Sequence, residues 1–153
     1  MKKSALKKSQ RLRLAENLCA DNKTRLTLLR RKALEILLNA KTPLKAYDII
    51  ELMRDEGKRV TPATIYRVLE FLLDSGLVHR INALSAYAPC ANPQNGGRHS
   101  LVMFVCSKCK KVEEIDDDAL NQSMRARLDQ LGFSLQEGSV EMEGECKTCT
   151  VSS

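Results

Sequence analysis

Four of the six cysteines form two pairs with the same Cys-x-x-Cys spacing, and 36 residues separate these pairs in the last third of the chain. Two such knuckles supply four thiolates, the donor set of a closed, tetrahedral structural zinc site. The alternative is that the cysteines form two unrelated redox pairs or stay unpaired, but then the identical spacing would be a coincidence. A disulfide framework is rare in cytosolic proteins. We therefore predict a structural zinc site at Cys106, Cys109, Cys146 and Cys149.

A second set of metal-ligand types lies upstream of the first knuckle. It comprises one cysteine and both histidines of the chain, His79, Cys90 and His99, and an acidic pair, Glu113-Glu114, follows the knuckle. One thiolate, two imidazoles and one carboxylate make a four-coordinate site that suits zinc, because the thiolate argues against magnesium or manganese. Each residue alone also has a plain interpretation as a surface histidine, a buried cysteine or a solvated glutamate. The sixth cysteine, Cys19, has no ligand type near it and is predicted to be a buried small hydrophobe.

The positive charge of the chain is concentrated in its first half. Residues 1–80 contain 18 Lys and Arg against 9 Asp and Glu, a net charge of +9, whereas residues 81–153 have a net charge of −3. A polyanion such as nucleic acid is the natural partner of the basic half, although a merely solvated basic face has the same composition. No apolar run approaches the roughly 20 residues needed to span a bilayer, so we expect a cytoplasmic protein with no membrane partner.

Apolar residues at three- and four-residue spacing predict four helices in the basic half. They cover residues 10–20, 28–39, 46–56 and 62–75. Thr27 and Thr61 are suitable N-caps, and Pro62 occupies a first helical position, where its missing N–H costs nothing. The buried face of the fourth helix is predicted to consist of Ile65, Val68, Leu69 and Leu72.

The opposite face of the fourth helix carries side chains that suit the major groove of DNA. Arg67 can fork onto guanine O6 and N7, Ala63 can meet a thymine methyl, and Tyr66 can reach a base or a phosphate. An ordinary exposed helix face is the alternative. The strand-like runs 77–81 and 86–88 flank a turn at 82–85 and predict the hairpin wing of a winged helix-turn-helix.

The rest of the chain predicts a small mixed domain. Beyond a turn-rich hinge at 91–98 we predict strands at 101–105 and 111–115, a helix from Asp117 or Asp118 to Leu131, and one or two strands within 133–142. The fold class is α+β. Its predicted parts are a winged-helix domain at 1–90 with a basic tail at 1–10, the hinge at 91–98, and a zinc-stapled α/β domain at 99–153.

Taken in order, these residues resemble the ferric-uptake-regulator family from about Arg25 to Cys149. The resemblance is carried by Thr61-Pro62-Ala63-Thr64-Ile65-Tyr66-Arg67-Val68-Leu69, Gly76-Leu77-Val78-His79, Tyr87-Ala88-Pro89-Cys90, His99 and Cys106-Ser107-Lys108-Cys109. It implies a homodimer, joined through the domain at 99–153, that binds a palindromic operator in double-stranded DNA when metal is bound. The chain would then be a transcriptional repressor.

The resemblance also implies roles for individual residues. The family's regulatory metal site matches His79, Cys90, His99 and Glu114, with Glu114 preferred to Glu113 by its distance from Cys109; the family's structural site matches the four paired cysteines. The recognition-helix contacts match Tyr66 and Arg67, and the further candidate DNA contacts are Ala63, Thr64 and Arg25. The ligand types are those of the zinc-responsive branch of the family, so we expect two zinc ions per chain and control of zinc-uptake genes.

Three other functions compete with this interpretation. An iron or manganese sensor of the same family is one, although Cys90 suits zinc better. A zinc enzyme with an open site at His79, Cys90 and His99 is another, but the chain has neither the zinc-deaminase signature nor His-Glu-x-x-His nor Gly-x-Ser-x-Gly. We therefore expect no enzymatic activity and no small-molecule substrate. A zinc-stapled interaction module that never touches DNA leaves the face of Tyr66 and Arg67 unexplained.

Overall fold

Two compact units, Met1–Gly97 and Arg98–Ser153, make up the chain in the computed structural model. The structure describes residues 7–93, 102–134 and 139–151. Within these ranges the elements follow in the order α1 (Lys8–Asp21), α2 (Leu28–Asn39), α3 (Ala46–Asp55), α4 (Pro62–Asp74), β1 (Val78–Ile81), β2 (Ala86–Pro89), β3 (Val102–Cys106), β4 (Val112–Ile115), α5 (Asp118–Gln130), β5 (Val140–Gly144) and α6 (Lys147–Val151). None of the helices in the described ranges has the length and apolarity that crossing a bilayer requires.

The first unit confirms the four predicted helices and their caps. The side chain of Thr27 accepts a hydrogen bond from the backbone N–H of Arg30, and Thr61 accepts one from Thr64. Gly76 has a φ of +66°, so the chain turns out of α4 at a residue without a Cβ. The four residues predicted for the inner face of α4 are all buried, and Cys19 is buried in the same aliphatic core.

A hairpin follows α4 and confirms the predicted wing. Strands β1 and β2 are antiparallel, with Val78 opposite Pro89 and Ile81 opposite Ala86. A short 3₁₀ turn, Asn82–Leu84, joins the strands. The loop before α3 also reaches the hairpin, because Leu44 and Tyr87 exchange two backbone hydrogen bonds of 3.0 and 2.8 Å. That bridge, which the sequence pattern did not predict, fastens the hairpin to the helices.

The second unit is a three-stranded sheet with strand order β4-β3-β5. β3 pairs antiparallel with β4 and parallel with β5, and Cys106 lies opposite Gly144 in the parallel register. Helix α5 begins as predicted, with Asp117 Oδ1 accepting the Leu120 N–H at 3.0 Å. Because β3 and β5 run in the same direction, the chain segments that leave their carboxyl ends emerge at the same end of the sheet.

The C-terminal part of the prediction needs two corrections. Of the segment 133–142, predicted as one or two strands, the structure shows a strand that begins at Val140, and residues 135–138 lie outside the described residues. Phe133 is not part of a strand, because its N–H donates to Leu128 O at 2.9 Å and so completes the C-terminal cap of α5. Gly132, with a φ of +80°, makes this cap possible. The short helix α6, which was not predicted, starts inside the second knuckle, and the Thr150 N–H donates to Cys146 O at 2.9 Å.

We expect the stability of the first unit to depend on the buried face of α4. Leu69 is fully buried, so Leu69→Ala leaves a cavity and should lower the free energy of unfolding by about 2–5 kcal/mol. The adjacent Glu70 is exposed, and Glu70→Ala should change the free energy of unfolding by no more than about 0.5 kcal/mol. Urea denaturation followed by far-ultraviolet circular dichroism measures both; equal unfolding midpoints for the two variants would contradict this packing.

Candidate metal centres and nucleic-acid interface

The structure brings the four paired cysteines together. Cys106 ends β3, Cys109 lies in the turn that follows, and Cys146 and Cys149 come after the adjacent parallel strand β5. Their four sulfur atoms all lie within 4.8 Å of one another. The Cys109 and Cys146 Sγ atoms are 3.7 Å apart. A tetrahedral zinc site with Zn–S bonds of about 2.3 Å has an S···S edge of roughly 3.8 Å, so this four-cysteine cluster has the dimensions of a zinc site.

Backbone hydrogen bonds hold the two knuckles in place. The Lys110 N–H donates to Cys106 O at 3.0 Å, and Lys110 has a φ of +62°, which closes the first knuckle. The Ser107 N–H donates to Gly144 O at 2.7 Å. A salt bridge of 3.1 Å between Lys108 and Glu145 also joins the two segments. The cluster is therefore fixed by the backbone on both sides.

The ionisation of these thiols fits a cation site. Backbone N–H groups, chiefly that of Cys109 and next that of Cys146, lower the pKa of Cys106 to about 6. The pKa of Cys146 is also lowered, chiefly by the Cys149 N–H. The neighbouring cysteines, Cys146 first, raise the pKa of Cys149 to about 12. Four close thiolates repel one another, and a divalent cation held among them removes that repulsion.

A second pair of ligand types lies in the hairpin of the first unit. Because Ala88 is the partner of His79, Cys90 lies diagonally across from His79 on the same face. A ring nitrogen of His79 and the Cys90 Sγ atom are accordingly within 4.8 Å of each other. Cys90 is fully buried, and its N–H donates to Leu77 O at 2.9 Å. An imidazole and a thiolate at this separation can bind one zinc ion.

The other two predicted ligands of this site are His99 and Glu114, and the structure describes only Glu114. His99 lies outside the described residues. Glu114 is half-buried on β4 of the second unit, where it pairs with Met103 across the sheet. Its neighbour Glu113 is exposed and ion-paired with Lys111 at 2.5 Å.

The predicted recognition face lies along α4, the second helix of the helix-turn-helix, and is defined by Ala63, Tyr66, Arg67 and Glu70. All four are exposed, and Tyr66 presents 56% of its surface. Thr64 differs from them, because it is half-buried and its hydroxyl lies 2.9 Å from that of Thr61 in the N-terminal cap of α4. Its side chain therefore shapes the start of the helix.

The loop that carries Arg25 is connected to α4 through Arg30. Arg25 is exposed, and its carbonyl accepts a hydrogen bond of 2.7 Å from Arg30 Nη1. The guanidinium of Arg30 also stacks on the ring of Phe71 at 3.5 Å from the centroid. This cation–π contact fixes the Arg25 loop relative to the helix that carries the recognition face.

Sequence reasoning missed one exposed aromatic residue on the same unit. Tyr47, in the first turn of α3, presents 67% of its surface. The buried positions Ala46, Ile49 and Ile50 define the inner face of α3, so an outward Tyr47 could have been recognised from the helical period. Its ring and hydroxyl are thus open to solvent.

A four-helix winged-helix unit and a mixed unit with a four-cysteine cluster that could hold a metal ion define a class of winged-helix proteins. Residues 21–143 match the model of the ferric uptake regulator family. The chain is 31% identical over 135 residues to the zinc uptake regulation protein of Escherichia coli (strain K12), covering 88% of this chain and 78% of that protein. It therefore belongs to the ferric uptake regulator family.

Two further comparisons agree with this assignment. The ferric uptake regulation protein of Legionella pneumophila is 31% identical over 126 residues, which cover 82% of this chain and 90% of that protein. A solved structure described as a zinc uptake regulator complexed with zinc and DNA is 29% identical and superposes with a TM-score of 0.87 over 96% of this chain and 97% of that one. The predicted resemblance is thus confirmed.

The four-cysteine cluster should bind zinc through all four sulfurs. Cys109→Ser removes one thiolate, so we expect the purified protein to lose about one tightly held zinc ion per chain and its second unit to unfold more readily. Cys19→Ala is the matched control, because Cys19 is buried in the core of the other unit. Metal content after dialysis measures the difference; an equal zinc content in the two variants would show that the cluster holds no zinc.

Proposed function

We propose that this chain is a zinc-responsive transcriptional repressor that acts as a homodimer on palindromic operator DNA and controls zinc-uptake genes. The observation that carries the proposal is the pairing of the His79 imidazole with the buried Cys90 thiol in the wing of a ferric-uptake-regulator protein. The name of the Escherichia coli relative and the description of the zinc- and DNA-bound structure support the choice of zinc and DNA. Operator binding would place the protein in the cytoplasm.

Two zinc ions per chain are proposed, with different tasks. The four-cysteine cluster would hold the structural ion. His79, Cys90, His99 and Glu114 would hold the regulatory ion, and this ligand set follows from the family resemblance. Glu114 is preferred to Glu113 because the carboxylate of Glu113 is exposed and engaged by Lys111. When bound, zinc supplies a fixed coordination geometry that draws its ligands into one arrangement.

The backbone offers a short route from the regulatory ligands to the recognition helix. Leu77 is the link, because its N–H donates to Leu72 O in the last turns of α4 and its carbonyl accepts from the Cys90 N–H, both at 2.9 Å. Only Ser75, Gly76 and Leu77 separate the end of α4 from the start of β1. A change in the position of Cys90 therefore acts on the end of the helix that carries Tyr66 and Arg67.

The recognition face supports binding in the major groove. Arg67 presents a planar guanidinium for guanine O6 and N7, and Ala63 offers a methyl group to thymine. Tyr66 and Tyr47 extend the surface towards bases or phosphates, and Arg25 adds a cation at its edge. Thr64 contributes through the contact of its hydroxyl with that of Thr61, the N-cap of α4. The net charge of +9 on residues 1–80 supplies the attraction to the phosphate backbone.

Exposed apolar side chains in the second unit support the homodimer. Large hydrophobic residues there are 38–77% exposed in the isolated chain: Leu120, Leu131, Phe133, Val140, Met142 and Val151. A surface of this kind favours association with a second apolar surface. A two-fold dimer presents two recognition helices, which explains a palindromic operator.

The proposal predicts that specific DNA binding depends on zinc and on two separate groups of residues. In a gel shift with an operator fragment selected from random-sequence DNA in the presence of zinc, a chelator that removes only the looser ion should abolish the specific complex. Zinc should then restore it. Cys90→Ser should lose the zinc response, because the thiolate is gone, whereas Arg67→Ala should lose specific binding and keep both zinc ions.

The same experiment separates the alternatives. Restoration by Fe(II) or Mn(II) and not by zinc would identify a sensor of another metal. Specific binding that persists after the looser ion is removed, or wild-type binding by Arg67→Ala, would contradict the proposal. Arg127→Ala removes the same kind of side chain from an exposed position on α5 of the second unit and is the control for nonspecific effects of substitution.

A further inference from the structure

One basic side chain of α1 points into the first unit, whereas its neighbours remain at the surface. Arg11 is half-buried and its Nε atom is buried, while Lys8 and Arg13 on the same helix are exposed. Its Nη2 atom donates a hydrogen bond to the carbonyl oxygen of Cys90, a residue 79 positions further along the chain. Burial of a guanidinium is costly unless it is paired, so this contact is a specific feature of the fold.

The contact with Arg11 holds the carbonyl group of Cys90, whose N–H is already hydrogen-bonded. The Cys90 N–H already donates to Leu77 O at 2.9 Å, one step beyond the last pair of the β1–β2 ladder. Beyond Cys90 the chain leaves the hairpin, so the ladder holds only the amide side of this residue. The Arg11 guanidinium holds the carbonyl side, so the backbone of Cys90 is hydrogen-bonded on both sides, and its buried Sγ atom lies within 4.8 Å of a His79 ring nitrogen.

We propose that Arg11 is a positioning residue for the regulatory metal: it holds Cys90 in its ligating orientation and thereby couples α1 to metal occupancy. The inference rests on the proposed function in one respect, namely that Cys90 is a ligand. Groups that hold a ligand in place commonly change metal affinity by about 10- to 100-fold when they are removed. Linkage then requires that metal binding strengthen the docking of α1 by the same factor.

The test uses the full-length protein with its four-cysteine cluster filled with zinc, and Co²⁺ as a spectroscopic probe for the second site. Arg11→Met keeps the aliphatic stem and removes the donor, so we expect Co²⁺ and Zn²⁺ to bind this site about 10- to 100-fold more weakly. The thiolate-to-cobalt charge-transfer band should also change. Arg11→Lys keeps a cationic donor and should recover part of the loss.

Arg13→Met is the matched control, because it removes the same charge from the exposed side of the same helix. It should leave the metal affinity and the band unchanged. Hydrogen exchange gives an independent readout: zinc should slow amide exchange in α1 of the wild type and of Arg13→Met, and this effect should be lost in Arg11→Met. A general loss of stability would not depend on zinc in this way.

Each outcome has a defined meaning. Wild-type metal affinity in Arg11→Met, or equal weakening in Arg11→Met and Arg13→Met, overturns the inference. Equal loss in Arg11→Met and Arg11→Lys, with no zinc-dependent exchange in wild-type α1, also overturns it. Cys90→Ser distinguishes failure of the proposed ligand set from failure of the proposed role of Arg11. If Cys90→Ser retains the looser metal ion, the ligand set is wrong. If Cys90→Ser loses that ion and Arg11→Met keeps it, only the role of Arg11 is wrong.

Discussion

The convergence of four sulfur atoms within 4.8 Å is the constraint on which the second unit depends. Its described residues bury few apolar side chains, namely Val102, Met103, Val105 and Cys106, and a core of that size rarely stabilises a domain alone. The parallel pairing of β3 with β5 brings both knuckles to one end of the sheet, and hydrogen bonds such as that from Ser107 to Gly144 fix them there. A metal ion held at this cluster would thus contribute to the folding free energy of the unit.

His79 and Cys90 in the hairpin differ from the four-cysteine cluster, because they lie in a unit that has a large core of its own. This core is aliphatic, so the metal ion proposed for His79 and Cys90 would be available to act as a signal. Cys90 is held by Leu77 on one side and by Arg11 on the other, and Leu77 is in turn bonded to the end of α4. With Cys90 as a metal ligand, as proposed, a change in its position would act through these few bonds on the helix that carries Tyr66 and Arg67.

Much of this arrangement follows from local sequence rules. Helical periodicity, Thr27 and Thr61 as caps, and Gly76 as a stop define the winged helix, since each acts over a few residues. The two Cys-x-x-Cys pairs identify their cluster because the spacing itself is the geometry of a knuckle. Long-range choices were not predictable: the bridge from Leu44 to Tyr87, the stacking of Arg30 on Phe71, and the contact from Arg11 to Cys90 join residues whose proximity only the tertiary fold creates. The start of β5 at Val140 was not predicted, because phenylalanine is common in strands. In the structure, the N–H of Phe133 instead donates to Leu128 O in the C-terminal cap of α5.

In the proposed function, zinc and operator DNA favour the same conformation of the protein. Because binding free energies are coupled reciprocally, the zinc affinity of the regulatory site, measured by competition with a chelator while the four-cysteine cluster stays filled, must rise when operator DNA is bound. We predict a rise of about 10²- to 10⁴-fold, the range that a useful switch requires. The rise should equal the factor by which zinc tightens operator binding. The same zinc affinity with and without operator DNA would contradict it.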